Sequence, residues 1–363
     1  MTLGRAFLVL TAGSLSGLAL VAGAAGTTAT HSTQVRHLQG PVAALAIDGS
    51  RIAYDASAKF VTKPHATNKV LVWNVRTGKT VRVSGAKTAV SDDVVGAGVF
   101  QLAIAGRRVA WLLNEGGNLE SDDYLFTSSV ASPKERQVAS ALRTGESCGA
   151  GGGSHCAGPW LGGLVGSGNL IATNRWTTDA TGAVTAGELD VLNGTKLKQV
   201  AAGANTLPAT AADGGRVAVL HSDGSVAVYS KSGQVLMTLP PASAKEAALD
   251  GKNLVVVSET RQLQVYDAGS GSLKKTLPTH GSGLHNLDLQ GNIAIYTTGP
   301  SVRAVNLSSG KTRAVVTLGK HSEILFARIS SAGVAYAVNG VRVFFGKGKV
   351  GFVPMARLKT AVG

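Results

Sequence analysis

Residues 246–280 read EAALDGKNLVVVSETRQLQVYDAGSGSLKKTLPTH. Short apolar runs, AAL, LVVV and LQVY, are separated by Asp-Gly, Glu-Thr and Gly-Ser-Gly turns, and a basic run, LKKTL, closes the unit. Strands of this kind, with tight turns between them and no helical period, predict a four-stranded antiparallel sheet. The same order occurs before it, in ATAADGGRVAVLHSDGSVAVYSKSGQVLMTLPP (209–241), and after it, in HNLDLQGNIAIYTTGPSVRAVNLSSGKTRAVVTLGKH (285–321).

Working outward, the second strand of each unit aligns at Ile52, Val109, Leu170, Val217, Leu254, Ile293 and Val334. The spacings are 57, 61, 47, 37, 39 and 41 residues, the first three carrying insertions. RVAVL and LVVVS are apolar at almost every position, so both sheet faces require cover. Four-stranded units that cover one another in a ring form a β-propeller. The expectation is an all-β, seven-bladed propeller of four-stranded antiparallel blades over residues 41–358, with six or eight blades as the alternative. Residues 25–40 read as a linker and 359–363 as a tail.

AIDGSRIAYDA (46–56) followed by VLVWNVRTGKTVRV (70–83) resembles the repeat of TolB-like and WD40-like propellers. DGG-RVAV and LQVYDAGSGSLKKTL are similar to YVTN and quinoprotein-type repeats. The resemblance covers residues 40–358 and implies the fold; propellers serve both as binding scaffolds and as enzymes.

The chain has 363 residues, 15% charged, with a formal net charge of +14. Its first residues, MTLGRAFLVLTAGSLSGLALVAGAAG, hold one cation, an apolar run and Ala22-Gly23-Ala24. That pattern predicts a signal peptide over 1–24 and an exported protein. An uncleaved N-terminal anchor is the alternative, and the mature chain is expected to carry no transmembrane domain. Cys148 and Cys156 lie in a Gly-rich stretch, which in an exported chain predicts one disulfide. A zinc site recruiting His155 would need further ligands.

Three phosphate-loop-like stretches turn out to be repeat features. Gly78-Lys79-Thr80 and Gly310-Lys311-Thr312 lack the upstream Gly and the following helix of a phosphate loop. Both read as the turn between the third and fourth strands, and GKGKVG (346–351) reads as its counterpart in blade 7. Lys or Arg recurs at this turn, a pattern that also protects exposed sheet edges. Residues 300–363 hold ten Lys/Arg against one acid, and residues 51–90 hold eight against one. Ring closure makes these segments neighbours, so Arg76, Lys79, Lys311, Arg313, Arg342, Lys347 and Lys349 are candidates for binding a polyanion.

The opposite face, here called the top, receives the long connections at 56–68, 114–122, 140–162 and 175–186. His65, His155, Trp160, His221, His280, His285 and His321 fall there and are the candidate ligand-loop residues. Asp48, Asp213 and Asp250 sit in tight turns that account for them locally, and Asp288 is a related turn residue. No hydrolase, zinc-protease or calcium-loop signature is present, and no catalytic residue or cofactor is expected. The reading is an exported, monomeric binding or scaffold module for a protein, a glycan or an anionic polymer at the cell surface. Sequence-specific nucleic-acid binding has no motif behind it. The alternative is a propeller enzyme of the lactonase, lyase or hydrolase type with its site in the top loops.

Overall fold

The computed structural model describes residues 32–56, 68–86, 88, 97–116, 121–143, 157–203, 208–281, 283–319, 322–339 and 347–363. The signal segment, both cysteines, His65, His155, His321 and Arg342 lie outside them.

Seven four-stranded antiparallel sheets form the described chain. The first strand, β1 (Gln34–His37), belongs to the last blade. Blade 1 is β2 (Leu45–Asp48), β3 (Arg51–Asp55), β4 (Val70–Asn74) and β5 (Thr80–Arg82). Blade 2 is β6 (Ala97–Ala105), β7 (Arg108–Gly116), β8 (Ser121–Ser129) and β9 (Arg136–Ala141). Blade 3 is β10 (Gly158–Ser167), β11 (Leu170–Thr178), β12 (Val184–Asn193) and β13 (Lys196–Ala202). Blade 4 is β14 (Ala209–Ala212), β15 (Arg216–Leu220), β16 (Val226–Ser230) and β17 (Val235–Leu239). Blade 5 is β18 (Glu246–Asp250), β19 (Asn253–Val257), β20 (Leu263–Asp267) and β21 (Leu273–Leu277). Blade 6 is β22 (Leu284–Gln290), β23 (Ile293–Thr298), β24 (Ser301–Asn306) and β25 (Thr312–Thr317). Blade 7 is β26 (Glu323–Ser330), β27 (Gly333–Asn339) and β28 (Lys349–Pro354), completed on its outside by β1. Every expected anchor, from Ile52 to Val334, lies in the second strand of its blade, and the blade count is seven.

Burial explains the ring. Val217 and Val219 pack in a cluster with blade 3, whereas Ala218 between them packs with blade 5. Alternate side chains of one strand thus serve two neighbours, which is why the strand is apolar throughout. Seven such clusters occupy the seven interfaces, and the cluster joining Tyr54 and Trp73 to Ala337 and Phe352 closes blade 7 on blade 1.

Closure is where the structure departs from the linker reading of residues 25–40. β1 pairs with β28 from Gln34 opposite Phe352 to His37 opposite Lys349. The chain then enters blade 1 past Asn339, whose amide accepts from Val42 N–H at 2.8 Å and donates to Val42 O at 3.1 Å. The expected tail is likewise structured. A helix, α1 (Met355–Val362), follows β28, with Leu358 and Val362 wholly buried against blades 6 and 7.

GKGKVG is correspondingly reassigned. Its Lys347 and Gly348 lead into the third strand of blade 7, which Lys349, Val350 and Gly351 begin, so these residues lie toward the top face and form no outer turn. Two of its glycines answer to space. A Cβ at Gly348 would meet Gly40 O at 2.7 Å, and one at Gly351 would meet Tyr336 Cζ at 2.1 Å. Tyr336 is buried and lies opposite Gly351 in the register. Gly351→Ala is therefore expected to cost about 1–3 kcal/mol by overpacking. An unchanged urea midpoint would show that the ring does not need this space. Gly78 differs, for a Cβ there meets nothing within 4 Å. Its φ of +70° is what the turn requires.

Candidate functional site

Strands run alternately up and down, so the first-to-second and third-to-fourth turns share the bottom face. The top face receives the other connections. Blades 2 and 3 are built of strands of up to nine and ten residues, against three to eight elsewhere. The described parts of the segments at 114–122 and 175–186, expected as long loops, are largely strand extensions that raise a wall above the top face. In that wall Trp160 stacks on its cross-strand partner Trp176, ring centroids 6.3 Å apart and 8° from parallel. Arg143 lies over the Trp160 ring at 3.7 Å.

His221, His280 and His285 are on the top side, as read from the sequence. His285 Nδ1 lies 3.6 Å from Glu246 Oε1. Among the described residues no group of three or more His, Cys, Asp or Glu is placed to hold a metal ion.

The centre of the top face opens into a cavity of about 420 Å³, lined by inner-strand residues of all seven blades. Its charged wall comes from blades 5 to 7: Lys245, which is paired with Glu259, then Glu246, Asp288 and Arg328, with Asn286 among them. Glu246 Oε2 accepts from Leu287 N–H at 2.7 Å, and Asp288 Oδ2 accepts from Ile329 N–H at 2.8 Å. Each acid therefore holds the inner strand of the next blade. Burial pushes both carboxyls above the usual range, against the pull of the bonded N–H groups and of Arg328.

The same device recurs at the bottom. Asp48 accepts from Gly106 N–H in the next blade, and Asp250 accepts from Gly291 N–H. Arg51 and Asn253 donate to the carbonyl oxygens of those same glycines. Local turn formation is thus an incomplete account of Asp48 and Asp250, because both join blades. Asp213 does stay local, accepting from Gly215 and Arg216 N–H and pairing with the Arg216 guanidinium.

Of the candidate cations, Arg76, Lys79, Lys311 and Arg313 are exposed at the bottom of blades 1 and 6. Lys347 precedes β28 and Lys349 begins it, both at the top end of the strand and apart from that group. Sequence reading missed three cations that complete the bottom arc. Arg36 in β1 donates to Gly78 O at 2.5 Å and lies over Trp73. Arg357 and Lys359 sit on the exposed side of α1, with Arg357 bonded to Thr33. Lys311 Nζ donates to Gly363 O at 3.0 Å. Finding the three required knowing that both ends of the chain meet at blade 7.

No protein-family model matches the chain, and no curated protein matches it significantly. Solved structures do. One chain in the crystal structure of the mitotic checkpoint complex is similar over 97% of this chain and 99% of its own. That match has a TM-score of 0.55 at 13% identity. The computationally designed protein Ika8 is similar over 88% of this chain and 98% of its own, with a TM-score of 0.47 at 14% identity. Likeness at such identity concerns the fold alone, and of these two the match at TM-score 0.55 supports it.

Proposed function

We propose that this protein is an exported, non-enzymatic propeller that binds a linear anionic polymer along the bottom of blades 6, 7 and 1. One observation carries the reading. Lys311, Arg313, Arg357, Lys359, Arg36, Arg76 and Lys79 follow one another around that sector, and no described carboxylate side chain forms an ion pair with any of them. Cations in an arc with no carboxylate side chain paired to them favour a chain of repeated negative charges, with affinity that falls as salt screens it. Edge protection alone would need the lysines of the turns. It would not need Arg357 and Lys359 on a helix.

Binding to immobilised heparin at near-physiological salt tests this. Lys79→Glu with Lys311→Glu should weaken retention about thirtyfold or more, taking ~1 kcal/mol per cation at an anionic surface. Lys347→Glu with Lys349→Glu changes net charge equally on the opposite face and should have a much smaller effect. Equal losses in the two variants would mean that net charge alone is responsible and would defeat the proposal.

A further inference from the structure

The top cavity has features that ring closure does not explain. Five of the seven inner strands break register at its level. The shifts fall at Val99/Gln101, Gly162/Val165, Ala209/Ala211, His285/Asp288 and Ile324/Phe326. β2 and β18 pair without interruption. Bulges insert an unpaired residue and re-aim side chains, and they concentrate beside functional sites. Here they deliver Phe100, Asn286 and Phe326 to the cavity lining. Asn286 takes a φ of +58°, outside the common regions for a residue with a side chain.

Arg328 is the second observation. Its Nη1 donates to Ala327 O at 2.8 Å and to Asn286 Oδ1 at 3.4 Å. Among the described residues, Nε and Nη2 meet no acceptor and no carboxylate comes within ion-pair distance of the guanidinium. A cation inside a cavity with the donors of Nε and Nη2 unused is an incomplete site. The neighbouring acids do not complete it, since Glu246 and Asp288 are committed to the backbone of the next blade.

We infer that the top cavity binds a small monocarboxylate with an aromatic body, its carboxylate paired to the Nε and Nη2 edge of Arg328 and its ring against Phe100 and Phe326. The planar guanidinium edge matches the two oxygens of a carboxylate. A singly charged group suits a site with one free cation between two acids, where a phosphate dianion would meet repulsion. Phe100 remains 36% exposed, an apolar surface without cover at the mouth. This site is separate from the bottom arc and stands or falls without it.

Calorimetric titration with 2-naphthoate and its uncharged amide tests the inference. The wild-type protein should bind one equivalent of naphthoate, with the amide about tenfold weaker or worse, as expected for losing a charged pair of hydrogen bonds. Arg328→Gln should weaken naphthoate by a similar factor and abolish the preference over the amide. Arg328→Lys keeps the charge and loses the flat edge, so it should fall between the two and serves if the Gln variant does not fold. Phe100→Ala should weaken both ligands equally. Absence of naphthoate binding at millimolar concentration, equal binding of the amide, or full binding by Arg328→Gln would each overturn it.

Discussion

A chain that starts at residue 41, lacking β1, is expected to lose about 3–6 kcal/mol of stability relative to one that starts at residue 32. Each net backbone hydrogen bond lost along β28 costs ~1 kcal/mol, and the lost cover of its apolar residues adds to that. β28 would become an open edge, backed by Val350, Phe352 and Val353, all almost fully buried in the closed ring. Open edges of this kind pair with other chains, so the shortened protein should also self-associate. A peptide of residues 32–40 supplied in trans should restore the urea midpoint and suppress association. A shortened chain that stays monomeric and as stable as the reference would show that β1 is decoration and that the seven clusters alone close the ring.

That strand is also the clearest case of what the sequence could not reveal. QVRH is four residues long, alternates between half-buried and exposed, and pairs with a partner more than 300 positions away. Local pattern has no access to such a pairing. The repeat itself was legible because each blade is local: strand, turn and strand adjoin in sequence, and two-faced burial marks them as apolar runs. NEGGNLESDD at 114–123 shows the opposite difficulty. Its polar composition reads as a loop, yet strand pairing continues from Glu115 opposite Asp122 to Gly116 opposite Ser121. A strand that rises beyond its neighbouring blades has no apolar surface to cover and no reason to look like a strand.

The channel was legible in part. Asp48 and Asp250 were visible as turn residues, because an Asp before Gly satisfies local rules. Their bonds to Gly106 and Gly291 cross from blade to blade and have no local signature. Arg328 carried a clue in ILFARIS, one charge within an otherwise apolar innermost strand. Weighing that clue requires knowing that inner strands in blades 1 and 2 put Ala46 and Ala103 at the corresponding place before the turn. The bulge that brings Asn286 beside it follows from no composition rule.

Asp123→Ala should be among the most damaging single substitutions, at about 3–5 kcal/mol, because it strands a buried cation. Arg143 is 1% exposed and Asp123 3% exposed, and Arg143 Nη1 donates to Asp123 Oδ2 at 2.9 Å. The pair sits inside a wider network. Arg143 also donates to Pro159 O at 2.7 Å and to Ser121 Oγ at 3.0 Å. Asp123 also accepts from Asn114 Nδ2 at 2.8 Å and from Leu161 N–H at 3.3 Å. Arg143 Nε, by contrast, is buried without a partner, which marks the guanidinium as already costly to keep there. Replacing both residues, Asp123→Leu with Arg143→Met, should therefore recover much of the loss seen in Asp123→Ala. It should also shift the fluorescence of Trp160, which loses the guanidinium over its ring. The exposed pair Lys245–Glu259, with both side chains more than half accessible, is the control. Removing either partner there should cost no more than about 1 kcal/mol. If urea unfolding shows the double replacement at blades 2 and 3 to be as damaging as the sum of the single ones, the two charges act independently. The raised wall would then owe its rigidity to strand pairing and the stacked tryptophans, with no contribution from the buried ion pair.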